Sequence, residues 1–244
     1  MTPKWYIAAA IVALSLNAAY AQKMSSSTET IQVNHVRADF SVTDLDNKAW
    51  KEANEVEVKS YWSGERAPAG RQFKAKLLWS DTALYIRFEA AQSEPLVVND
   101  EPDLTRKTMN LWDRDVCEIF IAPDRSKPNK YFEFEVAPTG EWIDVGIEVL
   151  PDKRISDWEY RSGMQSAARI ERGRVIMAIR IEWKALGKTP TPGEAWLGNL
   201  YRCVGRDPGR GYLAWRPTMT STPAFHVPGK FGEFVFVGND RGGN

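Results

Sequence analysis

The sequence predicts an all-β fold, a single antiparallel β-sandwich, on three observations. Apolar and polar residues alternate with period two through most of the chain. Turn-forming residues separate these runs into short pieces. Helical spacing is confined to one short stretch, Glu182 to Gly187 (EWKALG), of about one or two turns. Many short strands joined by turns suit two stacked antiparallel sheets better than any helical or alternating α/β arrangement.

The elements follow in order. In FKAKLLWSDTALYIRFEA, Phe73, Ala75, Leu77 and Trp79 share one face; Leu84, Ile86 and Phe88 resume it after a Ser-Asp-Thr turn, which makes a hairpin. VCEIFIA is a third strand. KYFEFEVAPTGEWIDVGIEV gives two more across Pro138-Thr139-Gly140, with Phe132, Phe134 and Val136 on one side and Tyr131, Glu133 and Glu135 on the other. AARIERGRVIMAIRIEW repeats the pattern across Arg172-Gly173. LGNLYRCVG and KFGEFVFVG complete the sheet.

Residues 1–21 read as a secretory signal peptide. Lys4 precedes a short apolar core, Trp5 to Leu16, and Ala19-Tyr20-Ala21 has the small-x-small pattern of a cleavage site. The core is too short to span a bilayer comfortably. The mature chain is expected to begin at Gln22, to be secreted or periplasmic, and to insert in no membrane. Residues 22–34, with the run SSST, read as a flexible leader, 35–238 as one domain, and 239–244 as a polar tail. Loss of the signal removes one basic residue, leaving 31 Lys and Arg against 32 Asp and Glu. So neutral a chain argues against nucleic acid as a partner. Cys117 and Cys203 both lie in apolar runs and are expected to be buried free thiols; a disulfide is the alternative that export leaves open.

No zinc-like histidine spacing, nucleophile elbow, phosphate loop or dinucleotide fingerprint is present. Glu118, Glu133 and Glu135 stand on strands that could be neighbours, so a paired-carboxylate glycosidase stays open, although alternation by itself reads Glu133 and Glu135 as a solvated face. The aromatic content is more informative. Ten tryptophans occur, nine of them after the signal, and Trp62, Trp112, Trp142, Trp158 and Trp215 each adjoin polar residues. A tryptophan at a sheet rim offers a flat apolar face to a sugar ring while neighbouring polar groups bond its hydroxyls; otherwise it caps the core.

The order LWDRDVCEIFIAP, KYFEFEVAPTGEWID, IRIEWKAL, LGNLYRCVGRD, YLAWRPT and FHVPGKFGEFVF resembles the family 9 carbohydrate-binding modules, which share a DOMON-like β-sandwich. The resemblance runs from about His35 to Val237. It implies a non-catalytic module that recognises an oligo- or polysaccharide. In such modules a terminal sugar sits between two tryptophans beside a glutamate; the first tryptophan falls on Trp112 and the glutamate on Glu118. The second tryptophan is replaced by Phe225, a sugar-binding arginine by Glu135, and an asparagine by Thr222. A site that has exchanged a guanidinium for a carboxylate is not expected to prefer the same hydroxyl pattern. Arg202, Asn199, Trp215 and Arg216 could build a replacement polar wall; alternatively Arg202 pairs with Glu118.

The resemblance also implies that structural calcium can be bound, for which Asp44, Asp46, Asp100, Glu101 and Asp103 offer hard oxygen ligands; no cofactor is expected to be required. Two alternatives to a binding module remain: a haem-binding electron-transfer domain, which would draw axial ligands from His35, His226 or a methionine, and a glycoside hydrolase or lyase using paired carboxylates.

Overall fold

A computed structural model describes residues 29–238. The expected signal peptide, the leader as far as residue 28 and the tail from 239 lie outside the described residues. Thirteen strands follow one another: β1 (Thr30–His35), β2 (Glu55–Val58), β3 (Phe73–Trp79), β4 (Ala83–Ala91), β5 (Val116–Ala122), β6 (Lys130–Val136), β7 (Trp142–Val149), β8 (Arg154–Asp157), β9 (Gln165–Glu171), β10 (Arg174–Glu182), β11 (Ala195–Val204), β12 (Gly211–Ala214) and β13 (Gly232–Val237). The short helix α1 (Trp183–Leu186) stands where helical spacing predicts it, ended by Gly187 at φ 70°, a left-handed conformation that glycine adopts without penalty.

The strands form one continuous hydrogen-bonded path, β8-β7-β6-β5-β11-β13-β1-β3-β4-β10-β9, with β12 added to β11 and β2 to β3. The hairpins β3–β4, β6–β7 and β9–β10 are those the turn signals predict. The sheet curls so that its halves face each other. One core cluster accordingly joins Phe88, Met177 and Ile179 from one half to Ile119, Phe134 and Leu200 from the other.

The leader is corrected. Residues 30–34 belong to β1, which runs parallel to β3 with Asn34 opposite Leu78, and Ile31 and Val33 are buried in the core. Apolar side chains at alternate positions of TIQVNH outweigh the polar composition around them. Strands β2, β8 and β12, each four residues long, are also absent from the sequence reading.

What positions the site is the second face of β5, β6, β7 and β11. Cys117, Ile119 and Ile121 point into the sandwich; Val116, Phe120 and Ala122 point the other way, into a separate cluster with Tyr131, Ile143 and Tyr201. Loop residues Leu111, Phe225 and Phe231 cover that outer face. Register also settles the cysteines. Cys117 stands opposite Arg202 and Cys203 opposite Val116, so the two thiols project to opposite faces; both are free and buried.

Candidate functional site

The stretch Leu111 to Asp115 builds the rim of a cleft. A single 3-10 turn, Leu111–Asp113, follows Asn110 in a left-handed conformation, and buried Leu111 anchors it. Arg210 holds the loop from beneath, donating to the carbonyls of Trp112 (2.6 Å), Arg114 (2.7 Å), Asp113 (3.0 Å) and Gly205 (2.9 Å). Buried Asp115 ties the strand start to the far loop by accepting from the Gly205 amide at 2.7 Å and the Val97 amide at 3.2 Å. The charged knot in LWDRDVCEIF is therefore a clamp that fixes Trp112.

Trp112 packs against Trp158, ring centroids 5.6 Å apart and tilted by 34°. Trp158 follows β8, its turn capped by Asp157, which accepts from the amides of Glu159 and Tyr160. The two indoles line a cleft of about 310 Å³ together with Tyr212, Phe225 and His226, and Glu118, Phe120, Glu133 and Cys203, on the outer face of the sheet, lie at its base. Arg154, Ser156 and Asp113 add polar groups at the mouth. The volume is at the lower end of ordinary ligand pockets, roughly 300–1,000 Å³.

The base is acidic. In the β5–β6 register Glu118 stands directly opposite Glu135, and Glu133, two pairs further along opposite Phe120, shares their face. One oxygen from each of these three carboxylates lies within 4.8 Å of the other two. Burial pushes all three carboxyls above the ordinary range, and the charge of Glu133 adds to the shift at Glu118 and the charges of Glu118 and Glu133 to that at Glu135. The Cys203 thiol donates to Glu118 Oε1 at 3.4 Å. His226 shares a 2.8 Å hydrogen bond through Nδ1 with the Tyr131 hydroxyl, and burial lowers its pKa to about 3, so the ring is neutral.

Several expectations are corrected. Glu133 and Glu135 do not face solvent: Glu135 is 0% and Glu133 6% exposed, because loops cover the outer face of the sheet. Arg202 neither lines the cleft nor pairs with Glu118. It stands opposite Cys117, one residue out of phase with Glu118, and its guanidinium on the far face donates to the carbonyls of Arg71 and Ala91 and to Gln92 Oε1. Trp215 is stacked on Phe234 and packs against the sandwich core, and Asn199 is buried with its amide donating to the Arg216 carbonyl. Phe225 does not form one half of an open two-ring clamp with Trp112. Only 9% of it is exposed and its ring lies flat on Tyr201 at 4.1 Å, so it offers the cleft a wall. Thr222 is exposed, its carbonyl accepting from the Thr220 hydroxyl.

Trp158, Tyr212, Arg154 and His226 are among the cleft residues that sequence reasoning missed as partners of Trp112. For Trp158 a signal existed, an indole between Asp157 and Glu159, which it shared with Trp62 and Trp142. Trp62 instead buttresses Tyr212 edge-on at 6.1 Å, and Trp142 packs against the core. Three of the five loop acids have partners within the protein: Asp46 pairs with Arg169, Asp103 with Arg106 and Thr105, and Asp44 accepts from Asn47. The two histidines line different clefts and share no site.

A model of the carbohydrate family 9 binding domain-like family matches residues 43–239. The chain belongs to this family. Among its relatives is endo-1,4-beta-xylanase A of Thermotoga maritima, 23% identical over 194 residues, which are 78% of this chain and 16% of the xylanase. The chain thus spans about a sixth of the length of that enzyme. Two solved structures of a family 9 carbohydrate-binding module from Caldicellulosiruptor kristjanssonii share the fold: one in complex with cellotriose (TM-score 0.62, 16% identity, 87% of this chain and 95% of that one) and one with glucose (TM-score 0.60, 16% identity, 88% and 99%). Trp112 and Glu118 stand together in the cleft, and Glu135 is not among the residues that line it.

Proposed function

We propose that the domain is a non-catalytic carbohydrate-binding module whose ligand enters the cleft beneath Trp112. The observation that carries this reading is the cleft itself, in which two adjacent indoles stand over a base of carboxyl groups. A sugar ring presents an apolar C–H face and a girdle of hydroxyls, and this pairing of flat aromatic and polar surface satisfies both. Family membership and the sugar complexes of the Caldicellulosiruptor module support it. The ligand is an oligo- or polysaccharide, and Glu118 accepts or shares protons with its hydroxyls. Because Glu135 replaces an arginine, the hydroxyl pattern preferred differs from that of a module retaining the guanidinium.

A hydrolytic role fits the geometry less well. Glycosidase carboxylates flank the scissile bond, but Glu118, Glu133 and Glu135 cluster on one face of two adjacent strands, with Glu118 and Glu135 paired in register. The module acts alone or beside polysaccharide-degrading enzymes. The N-terminal apolar run and the Ala19-Tyr20-Ala21 site support export to the periplasm or beyond.

The test is tryptophan fluorescence titration of the chain from Gln22, beside Trp112→Ala, against cello-, xylo- and pectic oligosaccharides. Saturable binding weakened at least tenfold in the variant, about 1.4 kcal/mol, is the expected result. A folded protein that binds none of them, or a variant that binds as the parent does, overturns the reading.

A further inference from the structure

The trio Glu118, Glu133 and Glu135 has a feature that saccharide recognition does not use. Glu135 is fully buried, and neither of its carboxyl oxygens has a hydrogen-bond partner outside the trio. A buried carboxylate normally gathers backbone amides, hydroxyls or a guanidinium. Asp115, nearby on the same strand approach, accepts from two backbone amides and from the side-chain amide of Gln92. The Glu135 carboxyl is instead directed at two other acids.

We propose that Glu118, Glu133 and Glu135 form a binding site for a divalent cation of the calcium class. One oxygen from each lies within 4.8 Å of the others, which is the greatest separation two ligands of one ion can have when the Ca–O distance is about 2.4 Å. The donor set is all oxygen, which selects a hard cation over zinc or copper. Glu118 and Glu133 reach the cleft while Glu135 stands behind them, so an ion held by the three is entered from the cleft and keeps coordination positions open on that side. Charge agrees as well: three ionised carboxylates against one divalent ion leave a single negative charge, which the charges of Arg154, felt at Glu133, and Arg210, felt at Glu118, offset. Among the described residues this is the one trio of acidic, histidine or cysteine ligands close enough to share an ion.

The experiment uses Ca²⁺ alone, so its outcome is independent of the saccharide reading. The chain from Gln22, stripped with EDTA and dialysed, is titrated calorimetrically with CaCl₂ at neutral pH. Terbium luminescence excited through tryptophan is recorded in parallel, since Trp112 and Trp158 line the same cleft. The expected result is saturable binding that Glu135→Gln weakens at least tenfold and that Asp103→Asn leaves unchanged. Glu135→Gln is isosteric and removes a buried acid, so its melting temperature in EDTA is expected to equal or exceed the parent's. No calcium binding by the parent, binding unaltered in Glu135→Gln, or binding lost instead in Asp103→Asn overturns the proposal.

Discussion

Replacing Arg210 by methionine separates the clamp from the platform it holds. The guanidinium donates to four carbonyls, three of them consecutive in the loop that presents Trp112, and lies over the Tyr212 ring at 5.6 Å. Charge-assisted bonds of this kind contribute about 1 kcal/mol or more each, and water can replace some of them at a half-buried position. A net destabilisation of about 2 kcal/mol is therefore expected. For a domain near 200 residues this lowers the melting temperature by roughly 4–8 °C. The effect on binding is larger than that on the fold. Residues freed from the clamp must be ordered again when a ligand stacks, at a cost of about 1–2 kcal/mol for each backbone position. Ligand affinity at Trp112 is expected to fall at least tenfold although Arg210 contacts no ligand. Arg210→Lys retains the charge but not the fork, and is expected to recover little. The assay is saccharide titration by fluorescence beside urea unfolding. Unfolding weakened by about 2 kcal/mol with affinity unchanged would refute the view that the clamp positions Trp112.

Three other outcomes follow from the same structure. In EDTA, the raised carboxyls of Glu118, Glu133 and Glu135 favour the protonated folded state, so their contribution is complete below the usual carboxylate range and is lost as pH rises through the higher folded values; thermal melts from pH 4 to 9 should show stability declining on the alkaline side, and less steeply in Glu135→Gln. Trp215→Ala should destabilise by about 3 kcal/mol in urea through lost packing on Phe234, while the folded fraction binds ligand normally. Cys117, whose thiol burial pushes up to about 12, and buried Cys203 should resist maleimide in the native protein and label fully in urea without prior reduction.

Most of the sheet is legible in the sequence because each long strand has a buried apolar face that fixes its phase. Phe132, Phe134 and Val136 against Tyr131, Glu133 and Glu135 is such a case, and both sets lie on the faces expected. Alternation does not disclose what covers the second face. That depends on Leu111, Phe225 and Phe231 arriving from distant loops, and so Glu133 and Glu135 read as solvated. Strands of four residues escape for a different reason: β8 and β12 are too short for a period to emerge, and β8 carries Trp158 to the cleft. Of the cleft's lining, Trp112 and Glu118 were legible, because local chemistry suffices to single them out. The site was not legible where cross-strand register decides, since only the pairing of Cys117 with Arg202 shows that this guanidinium points away from Glu118.

Gly198 on β11 shows how tightly one wall of the domain is joined to the other. A Cβ there would lie 2.3 Å from the Phe120 carbonyl and 2.4 Å from Phe234, a residue of the core, while the Phe120 ring itself floors the cleft. Elsewhere along β5 and β6 the strands carry two independent sets of side chains: odd positions of β5 and even positions of β6 serve the interior, and the alternate positions serve the outer face on which the cleft lies. A substitution in one set can therefore leave the other undisturbed. At Gly198 the two sets meet, and there a change made for the sake of a new ligand would be felt by the whole fold.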